Sequence, residues 1–264
     1  MMTWNYNHKT ALVTGASSGI GEVFARQLAR KGTHLILVAR SEHKLEQLAR
    51  ELRAAYSVQA VVIPADLTDK TAVVKLQQEV QNLGLTVDIL INNAGFGSMG
   101  IFDQIQEERL LREIQLNVTA LTELTHAFIT PMLQRQSGVI INVASMTAFQ
   151  PAPFMAVYGA TKAYVLSFTE ALWAEYRDSG VRIVALCPGE TKSAFHGTSG
   201  SDTLTGKRME PLEVVNAAFE AVEQDRSYRI AGRNNYLMAQ FPRFLPRRMV
   251  LNAAKRMLQP VIRK

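Results

Sequence analysis

The stretch "LVTGASSGIGEVF", Leu12 to Phe24, decides how this chain folds. It continues the apolar run "ALVTG" (11–15) and opens "GIGEVFARQLARK" (19–31), where Val23, Phe24, Gln27 and Leu28 recur at helical spacing. Between the two lie Gly15, Gly19 and Gly21, a G-x-x-x-G-x-G turn that also carries Ser17, Ser18 and Ile20. A strand that turns through glycines straight into a helix lets backbone approach a phosphate closely. The helix start adds free N–H groups and the positive end of its dipole. Alone, such a turn is weak evidence. After the first strand of an alternating β–α series it points to nucleotide binding.

That alternation continues down the chain. "HLILVA" (34–39) precedes a helix over 42–56, and "QAVVIPADL" (59–67) precedes one over 69–82. "VDILINNAG" (87–95) leads into a long helical region over about 107–135, and "GVIINVAS" (138–145) into a helix over about 155–178. "VRIVALCPG" (181–189) is followed by a helix near 211–224 and a last short strand, "YRIAG". The strand runs are continuously apolar, as strands buried on both faces are. Strands separated by helices of this length imply right-handed crossovers and a parallel sheet. No linker or change in composition interrupts the pattern before residue 190. Residues 1–264 therefore read as a single α/β domain, a doubly wound, Rossmann-type parallel sheet with helices on both faces. The small, polar segment 190–209, directly after a strand end, reads as a surface loop or as a flap over a site at the carboxyl edge of the sheet.

Composition narrows the function classes. With 47% apolar and 20% charged residues among 264, the chain can build a large core. One cysteine, Cys187, allows neither an internal disulfide nor a multi-thiolate metal site and suits a reducing, cytoplasmic setting. The start does not read as a secretory signal, and no apolar run is long enough to span a bilayer. The formal charge of +6 is uneven: from Arg226 to Lys264 there are ten Lys/Arg and no Asp/Glu, while the remaining 225 residues carry 19 basic and 23 acidic ones. A basic tail on a mildly acidic body argues against a nucleic-acid partner.

Two further features carry chemistry. The nucleotide fingerprint expects an acid about 20 residues on, at the end of the second strand, to bind a ribose 2′-hydroxyl. Here Arg40 stands there, in "LVARSEHKL". A guanidinium binds a 2′-phosphate that a carboxylate would repel, so NADP(H) is expected over NAD(H), with Ser41 and Ser17 as helpers. Second, "AVYGATKAYVLSF" (156–168) sets Tyr158 and Lys162 four residues apart on a helix face. A cation beside a phenol favours the phenolate and suits it to acid–base work.

Together these pieces resemble the short-chain dehydrogenases/reductases over at least residues 9–193. The resemblance rests on "TGASSGIG" (14–21), "ADL" (65–67), "NNAG" (92–95), Asn117 in "IQLNV", Ser145 in "INVAS", "YGATK" (158–162) and "PG" (188–189), all in the family's order and spacing. It implies that Asp66 and Leu67 hold an adenine and that Asn93, with Ala94 and Gly95, flanks the cofactor. It makes Tyr158 the general acid/base, Lys162 the residue that binds the nicotinamide ribose and depresses the phenol's pKa, Ser145 the donor to the substrate carbonyl, and Asn117 the anchor of a water that relays protons to Lys162. After Pro188 and Gly189 the sequence departs mildly from the family, and either Thr191 or Ser193 can reach the nicotinamide amide. No metal is needed. The expected activity is NADPH-dependent reduction of a ketone, 3-oxoacyl or steroid-like by resemblance. The alternatives are an NAD-dependent alcohol dehydrogenase and a non-catalytic dinucleotide sensor or scaffold. Family members are commonly homodimers or homotetramers.

Other residues stay open between chemistry and packing. Cys187 reads as a buried small hydrophobe, and His196 as a solvated loop residue. Phe149, Pro151, Pro153 and Phe154, like Phe96 and Met99, either wall an apolar pocket or shape turns. In the basic C-terminal tail, 241–264, Val250, Ala253, Ala254, Met257 and Leu258 fall on one helical face. That helix covers the core or a subunit contact, or it lies on anionic lipid as a peripheral membrane contact.

Overall fold

The computed structural model describes residues 4–193 and 208–262. Seven parallel strands form one sheet: β1 (Thr10–Thr14), β2 (His34–Ala39), β3 (Ala60–Pro64), β4 (Ile89–Asn92), β5 (Gly138–Val143), β6 (Val181–Cys187) and β7 (Tyr228–Ile230), in the order β3-β2-β1-β4-β5-β6-β7. The helices are α1 (Gly19–Arg30), α2 (Glu42–Tyr56), α3 (Ala72–Asn82), α4 (Glu107–Ile114), α5 (Leu121–Gln134), α6 (Ala156–Tyr176), α7 (Pro211–Glu223), α8 (Arg233–Gln240) and α9 (Arg247–Ile262). Successive strand residues point to opposite faces. Along β2, Leu35 and Leu37 join Phe24 and Leu28 of α1 and Leu45 and Leu52 of α2. Ile36 and Val38 join Leu76 of α3 and Leu124 and Phe128 of α5. Both faces are thus covered, which is why the strands carry no polar alternation. The chain runs outward one way through β1, β2 and β3, then returns to β4 and runs the other way. The crevice at the carboxyl ends of β1 and β4 is where such sheets bind ligands.

Three local readings are corrected. The long helical region over 107–135 is α4 and α5 joined by a π-helical turn, Gln115–Ala120, in which Asn117 is buried. The strand runs read to 67, 95, 145 and 189 end earlier, and their last residues are loops at the carboxyl edge. The helix expected from 69 starts at Ala72, because the Asp69 carboxylate accepts from the Thr71 N–H (2.8 Å) and hydroxyl (2.9 Å) and holds a turn there. Helix α8 and the 3-10 turn Phe241–Phe244 were not expected at all; they are short and mix polar with apolar residues. Residues 194–207 of the polar segment, including His196, lie outside the described residues.

A buried polar chain ties the central strands to the helix carrying Tyr158 and Lys162. Asn92 and Asn142 are register partners on β4 and β5. Asn92 Nδ2 donates to Asn142 Oδ1 (2.9 Å) and Thr125 Oγ1 (3.0 Å), and Asn142 Nδ2 donates to Thr169 Oγ1 (3.0 Å) on α6. All four side chains are buried. Asn142→Ala strands donors and acceptors without water and is expected to cost about 2–3 kcal/mol. Urea unfolding reads this as a lower midpoint with unchanged slope; an unmoved midpoint would show the chain of amides to be energetically idle.

Candidate active site

The glycine turn is built around close approaches. Gly15 lies at φ +66°, a left-handed conformation that L side chains rarely adopt. A Cβ on Gly21 would come within 2.3 Å of the Gly15 carbonyl oxygen and 2.5 Å of Asn93 Nδ2. Asn93 Nδ2 donates to the carbonyls of Thr14 (3.0 Å) and Gly15 (3.3 Å), while the Thr14 hydroxyl accepts from the N–H groups of Asn93 and Ala94 (both 3.0 Å). The loop after β4 is thereby locked onto the turn after β1. The turn opens at the first N–H groups of α1.

One cavity of about 1470 Å³ runs along the carboxyl edge of the sheet. At one end it is walled by Gly15, Ser17, Ser18, Gly19 and Ile20, and by Arg40, Ser41 and Lys44 beyond the end of β2. Asp66 and Leu67 follow, then Asn93, Ala94 and Gly95. Pro188, Gly189, Thr191 and Ser193 line it from the loop after β6. A Cβ on Gly19 would stand 3.0 Å from Ser193 Cβ, and the Thr191 hydroxyl donates to the Gly189 carbonyl at 2.9 Å. Asp66 accepts from the Thr68 N–H (3.0 Å) and hydroxyl (2.8 Å). Burial works to raise its pKa but is outweighed by those bonds and by the charges of Arg40 and Arg112, so the carboxylate sits below its ordinary range.

Ser145, Tyr158 and Lys162 meet on the cavity wall. Ser145 caps the 3-10 turn Met146–Phe149, its Oγ accepting from the Thr147 N–H at 3.2 Å. Tyr158 and Lys162, one turn apart on α6, are both buried, with the Lys162 ammonium 5.8 Å from the ring centre and donating to the Val143 carbonyl at 2.7 Å. Asn117 stands behind them. Its Oδ1 accepts from the Phe96 N–H (3.2 Å), and its Nδ2 donates to the Phe96 carbonyl (2.8 Å) and to Thr161 Oγ1 (3.1 Å). The amide pins the loop after β4 to α6, and the π turn sets it there. Of the residues given a catalytic or cofactor-binding role from sequence, Gly21 and Asn117 support the cavity from behind, and the others line it.

Electrostatics here differ from expectation in one respect. The Tyr158 hydroxyl is pushed up to about 12: burial dominates, the hydrogen bond with Ser145 works against it, and the charge of Glu113 adds to it. The lowering expected from Lys162 does not appear in the chain by itself. Burial instead draws Lys162 down to about 8, partly offset by Cys187 and Glu113. Glu113 was missed from sequence, since its polar character suggested an exposed helix face. It is fully buried on α4, and burial raises its pKa against the hydrogen bonding of Ser98 and the charges of Arg109 and Lys162.

The open aromatics divide. Phe96, Phe149 and Pro151 line the cavity. Phe154 instead shapes a turn, at φ +65° with its carbonyl accepting from Gly100, and lines a separate small pocket. Cys187 is buried, and burial pushes its thiol up. Also unforeseen are Met155, Met209 and Asn235, and the far wall made by α8, the 3-10 turn and α9. Asn235 Nδ2 donates to the Ala231 carbonyl (2.7 Å) and leaves no space for a Cβ on Gly189. Only the α9 face, with Val250, Ala254 and Leu258, was legible beforehand.

A doubly wound sheet with a glycine turn at its crevice, joined to a Ser–Tyr–Lys cluster, defines a dinucleotide-binding oxidoreductase. The family model for short chain dehydrogenases matches residues 9–203, and the chain belongs to that family. A short-chain dehydrogenase from Sphingobium yanoikuyae, solved in complex with NADPH, is 35% identical with a TM-score of 0.80, covering 97% of each chain. The bulky-bulky ketone specific alcohol dehydrogenase from Comamonas testosteroni is 33% identical with a TM-score of 0.77, covering 91% of this chain and 100% of that one. The ketoacyl reductase HetN of Nostoc is 32% identical over 229 residues, 86% of this chain and 79% of its own length.

Proposed function

We propose that the protein is an NADP(H)-dependent reductase of bulky, largely apolar ketones. The observation that carries this reading is a single cavity with Arg40 and the glycine turn at one end and the Ser145 and Tyr158 hydroxyls on its wall. Bound there, a nicotinamide dinucleotide supplies the hydride. Arg40, with Lys44 in the first turn of α2, offers positive charge to a 2′-phosphate. The N–H groups at the start of α1 receive the pyrophosphate. Ser145 and Tyr158 donate hydrogen bonds to the carbonyl oxygen as it gathers charge, and Tyr158 delivers the proton. A phenol held near 12 keeps that proton at neutral pH, as a general acid must. Lys162 holds the ribose hydroxyls and steadies the phenolate once it forms, and Asn117 keeps the loop after β4 in register with α6. Apolar walls from Phe149, Met155 and the tail suit a large hydrocarbon body, in keeping with the substrates named for the Comamonas and Nostoc relatives.

Fluorescence titration with both reduced cofactors tests the reading. NADPH is expected to bind more tightly than NADH. Arg40→Ser should weaken NADPH by about 10- to 100-fold and leave NADH unchanged. Equal affinities, or tighter NADH, would return the chain to the NAD-dependent alcohol dehydrogenase reading.

A further inference from the structure

The tail that closes the cavity is also its most exposed apolar surface. Leu237, Met238, Phe241 and Met257 line the cavity yet are each about 60% or more open to solvent (67%, 59%, 63% and 61%), so they form its mouth. Next to them Phe244 is 82% exposed and Met249 56%, and neither lines the cavity. On α9, Met249, Ala253 and Met257 follow at four-residue spacing, an outward apolar stripe. Arg256 stands beside Met249, Arg248 and Lys255 lie about a quarter turn beyond it, and Arg243 and Arg247 are close in sequence; all five are exposed. None of these five forms an ion pair among the described residues, and no acid occurs from Arg226 to the end of the chain. An exposed apolar stripe flanked by uncompensated cations fits a surface that is hydrocarbon beneath and anionic on top. A second copy fits less well, because two-fold pairing would set the same cations against each other. Phosphate alone would leave Phe244 and Met249 uncovered. No described helix is long and apolar enough to cross a membrane.

We propose that the tail seats the cavity mouth on an anionic lipid bilayer, and that ketone dissolved in the bilayer enters the site directly from the hydrocarbon. The delivery half rests on the ketone reductase reading; the docking half does not. Full-length protein is sedimented with vesicles of phosphatidylcholine alone and of an equal mixture with phosphatidylglycerol. It should pellet with the mixed vesicles, lose that binding as salt rises, and stay in solution with the neutral ones. Arg247→Gln with Arg248→Gln should lower partitioning by about thirtyfold. Phe244→Ser should also lower it, while turnover of a water-soluble ketone stays at the wild-type rate. Mixed vesicles should lower KM for a long-chain ketone in the wild type and not in Phe244→Ser. Equal or negligible pelleting with both vesicles, or a concentration-dependent dimer that Phe244→Ser dissolves, would overturn docking. Vesicle binding without any vesicle effect on KM would overturn delivery. Vesicle binding with no turnover of any ketone would instead sink the reductase reading and leave docking standing.

Discussion

Tyr158→Phe is expected to lower turnover of any accepted ketone by about 10²- to 10⁴-fold, the usual worth of a positioned proton donor. The fold should not notice. The ring stays where it packs, 8% exposed, and only the hydroxyl and its bond with Ser145 are lost. Cofactor affinity should also hold within about threefold, since a single neutral hydrogen bond contributes little net. Stopped-flow NADPH absorbance with titrated cofactor separates these effects. Turnover that survives the substitution would remove the phenol from the chemistry and reinstate a dinucleotide-binding sensor or scaffold.

Lys162→Met should abolish activity to a similar degree while leaving the protein as stable or more so. The sign follows from burial. Lys162 has a folded pKa drawn down to about 8 from an ordinary 10.5. The unfolded chain therefore holds that proton more tightly, and the buried ammonium costs stability at every pH below about 8. That cost, about 3 kcal/mol at most, is relieved as pH rises from 8 to 10.5. Methionine fills similar volume without the charge and gives up the bond to the Val143 carbonyl, the approach to the Tyr158 ring and the charge facing Glu113. Wild-type stability should thus climb through that window, relative to the methionine variant, in parallel denaturant melts. Ketone reduction by the wild type should decline as pH rises through about 8, as the ammonium that steadies the phenolate is lost. A methionine variant with a markedly lower melting temperature, or wild-type reduction unchanged above pH 8, would make Lys162 a structural residue.

What was legible in the sequence followed from strong local constraints. The sheet could be read because strands buried on both faces are largely apolar without alternation, as in "LILV" (35–38) and "VII" (139–141). The glycine turn could be read because Gly15 needs a positive φ and Gly21 has no space for a Cβ. The cavity wall around Tyr158 was legible for a different reason: family motifs in register name residues that no periodicity would. The rest depended on packing between segments distant in the chain. Nothing local marks Glu113 as buried, because α4 looks like a charged surface helix until α6 packs beside it. Asn235 gains meaning only from Gly189, 46 positions earlier. The tail's exposed aromatics could not be told from core ones until the core was complete without them.

The π-helical turn at 115–120 works as a phase shift. Its i→i+5 bonding takes in one residue more than an α turn does, and each α-helical residue turns the chain by about 100°. Upstream of it Leu110 and Glu113 point inward; downstream, Leu121, Leu124 and Phe128 do. Deleting one residue here would swing everything on one side of the cut by that angle. Either α5 stays seated and the amide of Asn117 swings off the 95–96 backbone, or the amide stays and α5 turns its apolar stripe toward water. This length of chain therefore tolerates exchange of side chains far better than any change in the number of links.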